Sequence, residues 1–350
     1  MLKIIFKTLI FCLLVFSLGL LASCSGNDPV NPQGRYRNGV FVVNEGSGAG
    51  SGDISFFDLD SNQVTNNLFT RENAPARLGT FVQSMLLHND KAYIAVDNGN
   101  QVVIVNRTTF RQEGFLSLKT PHTMIADGNT GYITEWMNNN FVNPPKGRVK
   151  VVNLQTNTIT DSISTDGAFP TRMVLTNNRL YVINSQENTV SVINTQTRQL
   201  EKKVVAGTNP NSIVLDANND IWILTGPYDG SPARLIRYTP QGADLVVRAA
   251  FVFGSSRAGR LITNPAKDKL YYTLDGKVFE LAINATALST SPFISRDLYG
   301  IGINPEGTVF YGADAGDYAS NGKMIRYNVS TRTAIDSATV GVVPNGFVFN

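Results

Sequence analysis

The chain has 350 residues, of which 42% are hydrophobic and 16% are charged, so it can bury a sizeable core. Its formal net charge is only +3, and its basic residues form no run of the kind that binds DNA or RNA. The two cysteines, Cys12 and Cys24, both lie near the amino terminus, so the remaining sequence has no thiol for a disulfide, a metal or a nucleophile.

The first 23 residues are predicted to be a lipoprotein signal peptide. Lys3 and Lys7 precede an apolar run over residues 8–22, which is too short to cross a bilayer. The sequence Leu21-Ala22-Ser23-Cys24 then resembles a bacterial lipobox, in which a peptidase cuts before the cysteine and the thiol receives a diacylglycerol. We therefore expect lipidation at Cys24 and a lipid anchor. The alternative is an ordinary secretory signal that ends near a cysteine.

Residues 24–38 contain Pro, Gly and Asn without an apolar period, which predicts a lipidated, flexible tether. Ser25, rather than an aspartate, follows the cysteine. In the sorting rule of many Gram-negative lipoproteins, this favours the outer membrane. We therefore expect a protein that is lipid-anchored to the outer membrane. Display at the cell surface is the expected arrangement, although Ser25 leaves open which leaflet the protein faces.

An apolar hairpin followed by a polar turn recurs seven times over residues 39–350. Each repeat carries an aromatic landmark, and the landmarks are 39 to 52 residues apart: Phe41, Tyr93, Tyr132, Tyr181, Trp222, Tyr271 and Phe310. Short strands at this period indicate a β-propeller. No sustained 3.6-residue apolar period follows residue 38, so no helix is expected. The predicted fold is all-β, a seven-bladed β-propeller with four strands per blade.

The clearest repeat predicts strands at residues 172–176, 180–184, 189–194 and 199–205. The first strand of the fold aligns with the second strand of this repeat, whereas residues 344–350 align with residues 170–176. The C-terminal strand is therefore expected to complete blade 1 and close the ring. The turn before the outermost strand begins with an Asx residue that can fix it, at Asp58, Asn106, Asn153, Asn194, Asn284 and Asn328.

The loops between the second and third strands are expected to differ in length. They are long in blades 1, 3, 5 and 7, over residues 44–52, 135–148, 225–234 and 312–323. Long loops on one face of a rigid scaffold commonly carry binding residues. These loops hold Trp136, Phe141, Tyr228 and Tyr318, which offer flat contact area to a ligand. The alternative is that these rings pack into small cores within their own loops.

The start of each innermost strand should lie at the mouth of the central channel. The residues expected there are Gln83, His122, Thr171, Asn211, Ala258, Tyr299 and Asn345, with Arg172, Arg257 and Arg260 close by. Such a rim suits amides, hydroxyls or an anionic group, although these side chains can also bond turn backbones and channel water. The predicted ligand-binding set is Gln83, His122, Trp136, Phe141, Arg172, Asn211, Tyr228, Arg260, Tyr299, Tyr318 and Asn345.

Catalysis finds little support in the sequence. His88 falls on the opposite face from His122, the only other histidine, and the innermost strands carry no carboxylate before Asp127 and Asp216 at their far ends. A metal-dependent lactonase needs carboxylates that converge on a divalent cation. Glu45 is the one acidic residue expected near the mouth. We therefore expect no enzyme, no catalytic or metal-binding residue and no cofactor.

The segments Val40–Asp58 and Arg179–Asn194 resemble the YncE-like, surface-layer-type family of seven-bladed propellers. The sequence Asn44-Glu45-Gly46 is similar to a branch of outer-membrane lipoproteins found beside TonB-dependent transporters, which includes cobalamin-capturing surface propellers. The resemblance spans residues 39–350, and its matching residues belong to the blade scaffold. It implies a surface lipoprotein that binds a small nutrient, such as a corrinoid or another chelate, and cooperates with a TonB-dependent transporter.

Two other classes of function stay open. The same face could dock a protein partner in the cell envelope without any small ligand. Alternatively, the protein could be a lactonase-like or lyase-like enzyme that holds a divalent cation.

Overall fold

The computed structural model describes residues 34–48, 50–227, 229–255 and 257–350. The predicted signal peptide, Cys24 and most of the tether lie outside the described residues, as does Tyr228. Residues Tyr36–Asn350 form one compact unit. In its described part, seven antiparallel sheets stand around a central axis, and each innermost strand contacts the innermost strands of its neighbours.

Each blade runs from an innermost strand a to an outermost strand d. The first four blades comprise β27 (Pro344–Phe349), β1 (Gly39–Asn44), β2 (Asp53–Asp58) and β3 (Gln63–Thr65); β4 (Val82–His88), β5 (Lys91–Val96), β6 (Gln101–Asn106) and β7 (Gln112–Ser117); β8 (Pro121–Asp127), β9 (Thr130–Glu135), β10 (Lys146–Asn153) and β11 (Thr158–Ala168); and β12 (Pro170–Thr176), β13 (Arg179–Asn184), β14 (Thr189–Asn194) and β15 (Gln199–Val205).

The last three blades follow the same order. They comprise β16 (Pro210–Leu215), β17 (Ile221–Thr225), β18 (Arg234–Gln241) and β19 (Asp244–Val252); β20 (Ala258–Thr263), β21 (Lys269–Leu274) and β22 (Lys277–Ala282); and β23 (Gly300–Ile303), β24 (Val309–Asp314), β25 (Asn321–Asn328) and β26 (Ala334–Val342). Blade 6 replaces the regular fourth strand with a single bridge, in which Val278 N–H donates to the Ile294 carbonyl at 2.9 Å.

The two ends of the propeller meet in blade 1. Strand β27 pairs antiparallel with β1, so that Phe41 lies opposite Val348 and Val42 lies opposite Phe347. Beyond the ladder, the Asn350 N–H donates to the Gly39 carbonyl at 2.9 Å. The prediction of a seven-bladed ring closed by its C-terminal strand is therefore confirmed, and the edge of β1 that this strand pairs is not left open.

The core lies between the blades. Seven buried apolar clusters fill the seven spaces between neighbouring sheets, including the space between blades 7 and 1, where Tyr311 and Val42 meet. All seven aromatic landmarks are at most 3% exposed. Burial of one such side chain contributes roughly 1.5–3 kcal/mol. The recurrent aromatic residue therefore anchors each sheet to a neighbour.

One local prediction was wrong. A short helix, α1 (Leu68–Asn73), follows β3, where no helix was expected. It is too short to show a helical apolar period, and the Asp53 carboxylate supports its first turn by accepting the Phe69 N–H at 2.8 Å and the Thr70 hydroxyl at 2.7 Å. No helix in the described part of the chain is long and apolar enough to cross a membrane.

Side-chain oxygens fix most of the turns that precede the outermost strands. Five of the six predicted Asx turns form, since the side-chain oxygens of Asp58, Asn106, Asn153, Asn194 and Asn328 each accept two backbone N–H groups from the turn.

Tyr36, in the segment expected to be tether, is buried against Phe56 and donates its hydroxyl to Glu72 at 2.7 Å. The ordered propeller therefore includes Tyr36.

Deletion of residues 345–350 should destabilise the whole ring, because it removes strand a of blade 1 and uncovers the edge of β1. We expect the midpoint of thermal unfolding to fall by more than about 10 °C, measured by circular dichroism. Phe115→Ala is a suitable control, because Phe115 is 59% exposed on outermost strand β7 and should change stability by about 0.5 kcal/mol or less. A truncated protein that melts like the full chain would contradict the closure.

Candidate functional site

A repeated backbone hydrogen bond shapes the channel mouth. In blades 1 to 5, the non-glycine residue before strand a has a left-handed φ between 31° and 61°, a conformation that costs of order 1–3 kcal/mol. Its carbonyl accepts the N–H of the first residue in the loop between strands b and c, at 2.8 to 3.2 Å. The five carbonyl–amide pairs are Val343–Glu45, Phe81–Asp97, Thr120–Trp136, Phe169–Ser185 and Asn209–Gly226.

A cavity of about 350 Å³ opens at this mouth, and we call it the channel cavity. The structure brings together around it eight of the eleven predicted binding residues: Gln83, His122, Trp136, Phe141, Arg172, Asn211, Arg260 and Asn345. Its lining also includes Thr123, Phe169, Thr171, Ser185, Gln186 and Asn209. The lining thus combines two cations, an aromatic wall and several hydrogen-bonding groups.

The two arginines occupy equivalent positions in blades 4 and 6. In blade 4, Arg172 lies two residues before Val174, which pairs with the landmark Tyr181. In blade 6, Arg260 lies two residues before Ile262, which pairs with the landmark Tyr271. The residues at this position in the other blades are uncharged: Gly346, Ser84, Thr123, Ser212 and Ile301. The channel therefore presents positive charge from two blades at one level.

Both arginines face the cavity without a carboxylate partner among the described residues. Burial, reinforced by the positive charge of Arg260, lowers the pKa of Arg172 to about 9, so Arg172 stays charged at neutral pH. Arg260 is held in place, because its Nε donates to the Tyr299 carbonyl at 2.9 Å and its guanidinium carbon lies 5.0 Å from the Tyr299 ring centroid. The other nitrogens of its guanidinium are not used in this contact.

Aromatic rings form one wall of the channel cavity. His122 stacks on Trp136 with ring centroids 3.7 Å apart, and Phe141 stacks on Phe169 at 5.0 Å. Trp136 meets Phe169 edge-on at 4.5 Å and donates its indole N–H to the Pro170 carbonyl at 2.9 Å. Phe141 is 57% exposed. The wall is therefore fixed by its own packing and still leaves the Phe141 ring exposed.

Behind this wall, His122 and Asp97 form a buried pair. His122 Nε2 lies 3.6 Å from Asp97 Oδ2. Burial, with a contribution from Arg172, lowers the pKa of His122 to about 3; burial, with a contribution from Glu45, raises the pKa of Asp97 to about 6 although Asn139 opposes it. At neutral pH the histidine is therefore neutral and the aspartate carries a buried charge.

The mouth amides serve the fold as well as the cavity. Asn211 Nδ2 donates to the Ala258 carbonyl at 2.9 Å, and Asn345 Nδ2 donates to the Val82 carbonyl at 3.2 Å, so each ties its blade to the next. The expected alternative, that mouth side chains bond the backbone, thus holds for these two nitrogens. The Asn211 Oδ1 atom is buried and has no hydrogen-bond partner among the described residues.

Glu45 contacts one residue that lines the channel cavity, Gln83, and one residue outside that lining, Tyr299. Its Oε1 accepts from Gln83 Nε2 at 3.2 Å, and its Oε2 accepts from the Tyr299 hydroxyl at 2.8 Å. Sequence reasoning placed Glu45 near the mouth but left it out of the binding set, and it missed Asp97 altogether. Both are the first residue of a b–c loop, the position that the repeated backbone hydrogen bond holds at the mouth.

The predicted alignment was wrong by one residue in blades 7 and 6, at Tyr299 and Ala258. In blade 4, Thr171 lies three residues before Val174, the partner of Tyr181; the matching residue in blade 7 is Gly300, since Ile303 pairs with Phe310. Tyr299 and Ala258 thus each lie one residue earlier than expected. A shift of one residue along a strand turns the side chain to the other side.

Tyr299 consequently lines a second cavity, which we call the side cleft. It has a volume of about 590 Å³ and lies on the same face. Tyr318, Arg257 and Arg260 also line it, together with Thr273 and Asp297. Of the predicted binding residues, Tyr299 and Tyr318 therefore belong to the side cleft, Arg260 belongs to both cavities, and Tyr228 lies outside the described residues.

The fold and this mouth define a seven-bladed β-propeller with a cationic, aromatic channel cavity. The chain belongs to the family described as a domain of unknown function, DUF5074, whose model matches residues 38–316. No curated protein matches the chain. Among the described residues, no three His, Cys, Asp or Glu side chains are grouped so that they could hold a metal ion.

Solved structures share the architecture at low sequence identity. A functionally unknown protein from Desulfotomaculum acetoxidans DSM 771 is 13% identical, with a TM-score of 0.67 over 89% of this chain and 99% of that one. The periplasmic gluconolactonase of Pseudomonas aeruginosa is 13% identical, with a TM-score of 0.66 over 89% and 98%. A candidate 6-phosphogluconolactonase from Bacteroides fragilis NCTC 9343 is 12% identical, with a TM-score of 0.63 over 94% and 100%.

These comparisons correct the prediction that the protein is not an enzyme. That prediction rested on the placement of the two histidines and on the lack of carboxylates that converge at the channel mouth. Structures with this architecture include a periplasmic gluconolactonase and a candidate 6-phosphogluconolactonase, so the prediction is overturned. At these identities the likeness itself shows the fold alone, and the chemistry has to be argued from the cavity.

Asp97→Asn should stabilise the protein at pH 7.5 and lose this advantage near pH 4. The folded-state pKa of about 6 lies above the ordinary value of 3.8, so the folded wild-type protein binds the proton more tightly than the unfolded chain does. This group's contribution to stability is therefore greatest at low pH and falls as the pH rises through 6. We expect urea unfolding to show a gain of about 1–3 kcal/mol at pH 7.5.

Asp90→Asn provides the matched control, because Asp90 is exposed in the turn between β4 and β5 on the opposite face. Its substitution should leave the unfolding free energy nearly unchanged at both pH values. An Asp97→Asn protein that is less stable than wild type at pH 7.5, or that differs equally at both pH values, would show that Asp97 is not a costly buried charge.

Proposed function

We propose that the protein binds a small hydroxylated carboxylate, such as a sugar acid, in the channel cavity. The observation that carries the proposal is the pair Arg172 and Arg260, which occupy one level of the channel and have no carboxylate partner among the described residues. A planar guanidinium can hold a carboxylate through two parallel hydrogen bonds. An anion between the two groups would also relieve their mutual repulsion.

The remaining lining suits the rest of such a ligand. Phe141 and Trp136 offer apolar surface to the C–H face of a sugar ring, while Thr123, Ser185 and Gln186 offer hydrogen bonds to its hydroxyls. A volume of about 350 Å³ lies near the lower end of the range of about 300–1,000 Å³ for small-molecule pockets. The channel cavity therefore favours a ligand of about one ring.

We further propose that this site works on the cell surface. The support is the lipobox at Leu21–Cys24 and Ser25, together with the resemblance of the scaffold to YncE-like lipoproteins beside TonB-dependent transporters. In that setting the mouth would collect a nutrient for a TonB-dependent transporter. A corrinoid is the specific cargo that the resemblance suggests; with about 350 Å³ available, its macrocycle would rest on the exposed Phe141 while one amide edge entered the cavity.

Arg172→Gln should weaken the binding of D-galacturonate, measured by isothermal titration calorimetry. Loss of a charged hydrogen bond of about 1.5–3 kcal/mol corresponds to roughly a 10- to 100-fold higher Kd. Arg248→Gln is the control, because Arg248 is exposed on the outermost strand β19 and should not alter binding.

The absence of binding heat with wild-type protein, or equal Kd values for Arg172→Gln and wild type, would remove the proposal. The same titration with cyanocobalamin tests the corrinoid version. Heat and a thermal shift with cyanocobalamin but not with D-galacturonate would move the assignment to a corrinoid. No response to cyanocobalamin would exclude that cargo.

A second candidate is hydrolysis of a sugar lactone in the same cavity, which the position of Glu45 favours. The carboxylate, fixed by Gln83 and Tyr299, could accept a proton from water as the water oxygen bonds to the lactone carbonyl carbon. The guanidinium groups would stabilise the oxyanion. The ring C–O bond then breaks, its oxygen takes the proton, and a hydroxy acid remains.

Glu45→Gln should abolish any acceleration of D-glucono-1,5-lactone hydrolysis, followed by titration of the released acid at constant pH. The general base is lost, so we expect the rate to fall by roughly 100-fold or more, towards the spontaneous rate. Glu113→Gln, which changes a surface carboxylate bound to Lys91, should retain the wild-type rate. Wild-type protein that does not exceed the spontaneous rate would exclude this activity with this lactone.

A further inference from the structure

The side cleft owes its shape to unequal loops around blade 6. The b–c connection of blade 6 comprises only residues 275–276, whereas those of blades 5 and 7 span residues 226–233 and 315–320. Blade 6 is therefore recessed between two taller neighbours on the mouth face. The resulting cleft, of about 590 Å³, is larger than the channel cavity itself.

Arg260 connects the two cavities, because it lines both of them. Its contacts with the Tyr299 carbonyl and ring hold it at the boundary, and they leave guanidinium nitrogens available to a ligand. A ligand whose carboxylate is bound between Arg172 and Arg260 can therefore continue past Arg260 into the side cleft.

The side cleft offers an aromatic platform. The Tyr299 and Tyr318 rings meet edge to face, with centroids 5.4 Å apart, and the Tyr299 hydroxyl is fixed by its hydrogen bond to Glu45. Tyr318 is 50% exposed and has a left-handed φ of 61°, which a non-glycine residue adopts rarely. A ring held in this way presents a rigid surface for the C–H face of a sugar.

Polar groups surround this platform. Arg257 and Asp297 both line the cleft and are exposed, and neither forms an ion pair within the described part of the chain. The Thr273 hydroxyl adds a hydrogen-bonding group to the lining. A cation, a carboxylate and a hydroxyl around aromatic rings match the hydroxyls and carboxylate of an acidic sugar better than they match a purely apolar group.

We infer that the two cavities form one extended site for an acidic oligosaccharide of at least two rings. One uronic-acid ring occupies the channel cavity at Arg172 and Arg260, and the next ring lies on Tyr318 in the side cleft with its carboxylate towards Arg257. This inference rests on the proposed function, because it takes the carboxylate site in the channel cavity as given and names the larger ligand that would fill both cavities.

The test compares D-galacturonate with α-1,4-linked digalacturonate by isothermal titration calorimetry. With wild-type protein, the disaccharide should bind roughly tenfold tighter or more, because the second ring adds a stacking contact and a second charged contact. Tyr318→Ala should remove most of this advantage and leave the Kd of D-galacturonate unchanged. Arg257→Gln should reduce the advantage in affinity that digalacturonate has over D-galacturonate. It should not give the neutral disaccharide cellobiose such an advantage.

Phe115→Ala serves as the control variant, because Phe115 is an exposed aromatic residue on β7, outside both cavities. It should bind both sugars like wild type, and thermal unfolding checks that each variant is folded. Equal affinity for the two acids, equal weakening of both by Tyr318→Ala, or equally tight binding of cellobiose would overturn the extended site. Binding of D-galacturonate alone would leave the proposed function intact, whereas binding of neither acid would remove both.

Discussion

The backbone hydrogen bond between the residue before strand a and the first residue of the b–c loop determines where the mouth side chains lie. It recurs in blades 1 to 5, where the residue that supplies the accepting carbonyl has a left-handed φ, and blade 6 has the corresponding bond from Asp275 N–H to the Arg257 carbonyl at 3.0 Å. Residues as bulky as Phe81 and Phe169 accept the unfavourable conformation. The closed ring makes this possible, because each innermost strand is held by a neighbour on either side.

The arginine pair stands out against this repeated geometry. A solvated or ion-paired arginine needs no explanation, but Arg172 is partly withdrawn from water and lies near a second cation, which is why its pKa falls to about 9. Such an arrangement disfavours the charged state in the absence of an anion. The fold does not require arginine at this level, as Ser84, Thr123 and Ser212 show in other blades. The arginine pair is therefore the observation on which the proposal of an anionic ligand depends.

Sequence reasoning succeeded where the repeat itself carries the information. The aromatic landmarks, the alternation of loop lengths and the closing strand follow from residues that recur at matching positions, and they placed eight of the predicted binding residues at one cavity. It failed where blades deviate from the repeat. Tyr299 was misplaced because the start of β23 has no proline to mark the register, and Asp97 was missed because a carboxylate after strand b is ordinary until its burial is known.

Binding and catalysis make different demands on the same lining. The arginines can hold the carboxylate of a sugar acid or stabilise the oxyanion that forms from a lactone, and the product of that hydrolysis is itself a hydroxy acid. Catalysis requires stronger interaction with the transition state than with the ground state, whereas capture for transport requires tight binding of the ground state. Glu45 decides between these demands, since a carboxylate next to the cavity lining repels a bound acid but can accept a proton from water. The two hydrogen bonds that it accepts, from Gln83 and Tyr299, keep it oriented and partly offset that repulsion.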